Sequence, residues 1–288
     1  MIPSPSGACC VCSKETIQRC SACGKAGFDL FFCSTEHQRM VWFAHKQVCG
    51  PKSKPFSFPL LSPEEAEEAK QKLHTKYDVQ GRTHQNTLEE DLTALCGGFK
   101  PVPVVPSMAN LLDILQEISF SRRLLTLDQR NELVCQVRVS LHTIKHASLP
   151  GKMTPEGWEL DPDAAPHSIF SPISAHAAFA DSLSLARTKR GLPRFPSSDE
   201  WYIKLQHHAL VLCALRYLKH QNRLSSASSS SSSSSSGKTR PFVECLMPAA
   251  RPIAELVNGL RGTRIVDRLA LIEALEVLVS GTEVSLVP

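Results

Sequence analysis

Within the first fifty residues, cysteine and histidine recur as Cys9-x2-Cys12-x7-Cys20-x2-Cys23-x9-Cys33-x3-His37-x7-His45-x3-Cys49. A two-residue gap lets both thiolates of a pair turn onto one ion, and a three-residue gap suits ligands one helical turn apart. Eight sulfur or imidazole donors make two tetrahedral sets, the number two structural zinc ions need. Cys10 is left out, because Cys10-x-Cys12 is too tight for a chelating pair. A segment this short has no other adequate core, so its fold must depend on the metal. The other cysteines, Cys96, Cys135, Cys213 and Cys245, are scattered singly in apolar surroundings and read as small core residues rather than nucleophiles.

The run Phe32-Cys33-Ser34-Thr35-Glu36-His37-Gln38-Arg39-Met40-Val41-Trp42-Phe43-Ala44-His45-Lys46-Gln47-Val48-Cys49 resembles the second half of MYND-type zinc fingers. There an aromatic-cysteine-serine start, a glutamine after the sixth ligand, a tryptophan four further on and a His-Lys-x2-Cys ending recur. The resemblance is limited to residues 9–50. It implies an interleaved, cross-brace arrangement in which one zinc takes Cys9, Cys12, Cys33 and His37, and the other takes Cys20, Cys23, His45 and Cys49. It also implies that Ser21, Gln38 and Trp42 touch proline-containing peptides of partner proteins, transcriptional co-regulators among them. An indole face suits a proline ring, although Trp42 also reads as a cap on the finger's small core. The sixth ligand, normally cysteine in that family, is here His37. Imidazole is an ordinary zinc ligand, so the first site is expected to survive with one negative charge fewer; without His37 it would be a weaker three-ligand site. RING fingers need a later Cys-x2-Cys pair, which this chain lacks, and HIT-type fingers bring their histidine closer to the sixth ligand.

Paired cysteines without an export-type start (the chain opens Met1-Ile2-Pro3-Ser4-Pro5-Ser6) point to a reducing, intracellular setting, nuclear or cytoplasmic. No apolar run approaches the roughly 18 uncharged residues of a membrane span. The whole net charge of +4 falls on residues 1–54, and six zinc-bound thiolates would reduce it to about +2, a weak field for phosphates. A nucleic-acid-binding protein is disfavoured accordingly.

The remainder reads as helical. Residues 55–106 form a proline-rich linker with two short helices: Ser62, Pro63 and Glu65 open one expected to reach Tyr77, and Thr87 with Glu90 opens one that Gly97-Gly98 stops. From 107 to 288 apolar residues recur every three or four positions. They predict one helix through Leu111 to Ile118, one capped by Thr126 and Gln129, one from Pro172 to Gly191, one opened by Ser197 with Glu200, and two more near 250–260 and 263–280. No alternating strand pattern of useful length is visible. The fold class is therefore a small two-zinc cross-brace finger at 1–54, followed by an all-α helical domain whose low-complexity segment 224–240 is a disordered poly-Ser loop.

Nothing in this part carries a catalytic signature. Gly237-Lys238-Thr239 resembles a P-loop ending without its first glycine. His142 and His146 are a helix-surface pair without a third ligand, and the basic run Arg187-Thr188-Lys189-Arg190 suits a helix C-terminus. A SET-type lysine methyltransferase, the main enzymatic rival, would need an Asn-His segment and a cysteine-rich tail, and neither is present. The expectation is a non-enzymatic zinc-binding adaptor or regulator that binds Pro-x-Leu-x-Pro-like peptides and has no membrane partner. Pro59, Leu61 and Pro63 have the form of such a peptide and are within reach of the finger for self-binding, although Ser62 and Pro63 also read simply as a helix cap and first-turn proline after a linker.

Overall fold

In the computed structural model, which describes residues 5–77, 85–99, 103–147, 151–154, 157–160, 171–189, 191, 193–228 and 240–259, side-chain caps set where the helices begin. The chain divides into two compact units, Met1–Phe56 with Leu183–Pro288, and Ser57–Ser182. Along the sequence the division was drawn at the finger and linker. In space the finger shares a unit with the last helices, and the linker belongs to the other unit.

The first unit opens with two short antiparallel strands, β1 (Gly7–Ala8) and β2 (Glu15–Thr16), then α1 (Ser21–Lys25), α2 (Thr35–His45) and a 3-10 turn at Gly50–Lys52. Its later helices are α9 (Glu200–Ser228) and α10 (Arg240–Gly259). Asp199 caps α9, accepting from the Tyr202 amide at 2.9 Å. The cap expected from Ser197 therefore lies two residues further on. Leu210 to Leu215 are buried without interruption, so α9 is covered on every side and forms the centre of its unit. It packs on α2 and on α10, whose buried stripe is Leu246, Ala249, Ala250 and Ile253.

Alpha-10 contains Pro248 and Pro252. Pro252 has no N–H, so the Pro248 carbonyl lacks its intrahelical donor. The Ser13 hydroxyl donates to that carbonyl at 2.7 Å, from a residue held at φ 58°. A defect built into the helix thus becomes an anchor for the finger. Ser13→Ala is expected to destabilise this unit by about 1 kcal/mol, and urea unfolding of the full chain with and without the substitution measures it.

In the second unit, α3 (Pro63–Gln71) carries the expected capping box of Ser62 and Glu65, and α4 (Leu88–Gly97) that of Thr87 and Glu90. Alpha-3 stops at Gln71, short of the expected Tyr77. Tyr77 instead lies in β3 (Lys76–Tyr77), paired antiparallel with β4 (Asn86–Thr87). There its buried hydroxyl donates to the Asp91 carboxylate and meets the Ser140 hydroxyl. The stripe from Leu111 to Ile118 is divided between α5 (Met108–Ile114) and α6 (Ile118–Leu124). Alpha-7 (Leu127–Ala147) begins at the Thr126–Gln129 cap and buries Leu133, Val134, Val137 and Leu141. A third ladder, β5 (Gly151–Thr154) with β6 (Gly157–Leu160), was not foreseen. Strands of two to four residues leave no alternation to read. The boundary between the units falls inside α8 (Pro172–Lys189), after which Gly191 turns at φ 69°.

The described structure is mostly helical, and none of its helices is long and apolar enough to cross a membrane. The serine tract is helical through Ser228 as the end of α9, because extending a formed helix adds a hydrogen bond with each residue. The rest of the expected loop, the Gly237-Lys238-Thr239 segment and the helix expected at 263–280 lie outside the described residues, as does the His146 side chain.

Candidate metal centre

The eight ligands are brought together by local turns and one helix. After β1 the chain turns tightly, Ser13 N–H donating to the Cys9 carbonyl at 2.8 Å and Cys9 N–H to Lys14 at 2.9 Å, which places Cys9 beside Cys12. Antiparallel hydrogen bonds from Phe32 to Gln18 and from Cys20 to Leu30 deliver Cys33 and Cys20 from adjacent segments. Alpha-1 then carries Cys23, one turn after Cys20. Ser34 caps α2 by accepting from the His37 amide, and α2 supplies both histidines. They stand eight residues apart, about 12 Å along the axis, so one rigid helix serves two separate sets.

The first set is Cys9, Cys12, Cys33 and His37; the second is Cys20, Cys23, His45 and Cys49. Within each, all four donor atoms lie within 4.8 Å of one another. A tetrahedral zinc with Zn–S near 2.3 Å needs its sulfurs about 3.8 Å apart, and a sulfur and a nitrogen slightly closer. The observed neighbours meet that demand. Cys12 and Cys33 sulfurs are 3.5 Å apart, and Cys9 and Cys33 lie 3.6 and 3.1 Å from His37 Nδ1. In the second set Cys49 is 3.5 Å from Cys20 and 3.7 Å from Cys23, and His45 Nε2 is 3.4 and 3.6 Å from the same two sulfurs. All of these separations are far beyond a disulfide bond. The donor set fits a borderline-soft dication.

The thiols share protons unequally. The contact with Cys23, reinforced by His45, holds Cys20 down at about 3, while Cys20 and burial push Cys23 well up. In the first set burial raises Cys33 to about 12; Cys9 stays below its usual range because backbone N–H groups outweigh its burial. A metal entering either set must displace the retained protons, so binding weakens as pH falls. Cys10 is buried outside both sets, with its thiol pushed well up by burial.

Gln38 and Trp42 lie four residues apart on one face of α2. Trp42 is 43% exposed and rests its edge on His45, with ring centroids 5.8 Å apart. The indole therefore both covers the second set and offers surface. Ser21 is exposed on a different element, at the start of α1 beside Cys20. The segment holding Pro59, Leu61 and Pro63 makes contacts within its own unit. Leu61 is buried in the second unit with its amide donating to Leu115, the Pro59 and Leu60 carbonyls accept from Arg138, and Pro63 starts α3.

Arg187 of the basic run folds back over the Phe195 ring at 3.7 Å and donates to the Pro193 carbonyl, so it ends its helix rather than forming an open cationic surface. Cys96, Cys135, Cys213 and Cys245 are buried. The residue that sequence reasoning missed is His207 of α9. It packs beside His45 at 6.3 Å between centroids, and no local pattern marks it. Compared with protein-family models, with curated proteins and with solved structures, the chain gives no match.

Proposed function

We propose that residues 9–50 form a cross-braced MYND-type finger holding two structural zinc ions, and that the protein acts as a non-catalytic adaptor or regulator, docking proline-containing peptides of partner proteins on the finger. The observation that carries this reading is the convergence of two complete Cys3His sets at tetrahedral spacing. A complete set leaves no open coordination position for water or substrate, which marks structural rather than catalytic zinc. The interleaving of the sets supports the cross-brace, and the half-exposed indole above His45, with Gln38 on the same face, supports the peptide surface.

Two measurements test it. Purified full-length protein should contain two zinc ions per chain by elemental analysis; fewer than about 1.5 would sink the two-site reading. A Pro-x-Leu-x-Pro peptide should bind the wild type in calorimetry. Trp42→Ala should weaken that binding at least about tenfold, in line with the loss of an aromatic anchor, with zinc content unchanged. Equal binding by the two proteins would remove Trp42 from the proposed surface.

A further inference from the structure

A path of one peptide link and successive hydrogen bonds leads from the second metal set to the central helix α9. Cys49 is followed directly by Gly50, held at φ 68°. The Gly50 carbonyl accepts from Ser53 twice, from its amide at 2.9 Å and its hydroxyl at 2.6 Å. The Ser53 carbonyl lies 3.2 Å from His207 Nε2. A carbonyl only accepts, so Nε2 carries the proton and donates. Ser53 and His207 are both buried. The His207 ring is stacked on Phe28 of the finger at 4.3 Å and lies edge-on to Phe56, just after it, at 5.2 Å.

We infer that His207 is a positioning residue of the second metal set: it fixes the Gly50–Ser53 turn that aims Cys49, and thereby couples binding of the second ion to docking of α9. This rests on the two-zinc reading. Outer-shell partners orient the ligating groups and their loss lowers metal affinity. Linkage then makes the coupling reciprocal: whatever factor docked α9 adds to the affinity of the second ion, that ion adds to the docking of α9. The first set has no comparable role for His207, since the path starts at Cys49. An adaptor built this way reports the metal state of its finger to the helix at the centre of its unit.

The test uses full-length zinc protein and a chromogenic chelator. Zinc release should show two phases, assigned with Cys12→Ser, which disables the first set only. His207→Phe keeps the ring packing and removes the donor. It is expected to weaken the second site by about tenfold or more and leave the first unchanged, and His207→Gln, which restores an N–H, should recover most of the loss. Equal weakening of both sites, no weakening, or a glutamine variant no better than phenylalanine would overturn the assignment. If His207→Phe does not fold, hydrogen exchange on other variants decides. Cys49→Ser should deprotect the α9 amides around residues 203–215 and Cys12→Ser should not; equal protection in the two overturns the coupling. Absence of zinc from the wild type would instead refute the metal reading itself.

Discussion

Chelating both metal ions in the full-length chain is expected to unfold residues 5–56 and leave residues 57–182 folded. The finger buries only a few large apolar side chains, among them Phe28, Leu30, Phe32, Val41 and Val48. Without ions the six thiols and two imidazoles at its centre lose their common partner. Structural zinc contributes on the order of 10 kcal/mol to modules of this kind, more than such a core can replace. Alpha-9 and α10 should loosen as well, because Phe43 packs against Tyr217 at 5.7 Å and Ser13 holds the Pro248 carbonyl. Hydrogen exchange read peptide by peptide before and after chelation measures the effect. Protection of residues 9–50 that survives removal of zinc would refute metal dependence.

Replacing Arg138 with methionine is expected to destabilise the second unit by about 2–3 kcal/mol, since the half-buried Glu65 carboxylate and two backbone carbonyls lose their donor. Its guanidinium, on α7 and 4% exposed as a residue, donates to both Glu65 oxygens at 2.8 and 2.9 Å and to the carbonyls of Pro59 and Leu60 at 2.9 and 3.0 Å. Glu65 also accepts from the Ser62 amide in its capping box, so one carboxylate joins the cap of α3 to α7. Burial would raise the Glu65 carboxyl, but the hydrogen bonds and charge of Arg138 more than reverse this and hold it below its ordinary value. A carboxylate with a lowered folded-state pKa stabilises the fold above its unfolded pKa, and that contribution is lost as pH falls through the folded value. The deficit of the methionine variant should therefore shrink below the ordinary carboxylate range. Arg138→Lys should fall between the two, since an ammonium cannot serve a bidentate carboxylate and two carbonyls at once. Urea unfolding at neutral and acidic pH, followed by exchange within 57–182, checks both parts.

Much of the candidate site was legible because its chemistry is local. Thiolate pairs with two residues between them and an imidazole one turn after Cys33 are statements about short stretches of chain, as are the boxes at Ser62–Glu65 and Thr87–Glu90. Failures came where local preference yields to packing. Alpha-3 ends early, and Tyr77 turns into a strand to reach Asp91 and Ser140. The apolar stripe from Leu111 to Ile118 is bent into two helices, and the cap of α9 is Asp199 rather than the expected Ser197.

By itself the sequence determined which eight residues can hold metal, where most helices start, and that the remainder is mainly helical, since each depends on contacts within a few residues. The tertiary structure brings Cys9 and Cys12 to Cys33 and His37 rather than to the nearer Cys20 and Cys23, a grouping that ligand spacing left open and the finger resemblance implied. It alone placed Arg138 beneath Pro59, and Ser13 and His207 against partners far along the chain. Such pairings are chosen by which surfaces bury one another. A burial partner separated by tens of residues or more leaves no periodicity for the sequence to show.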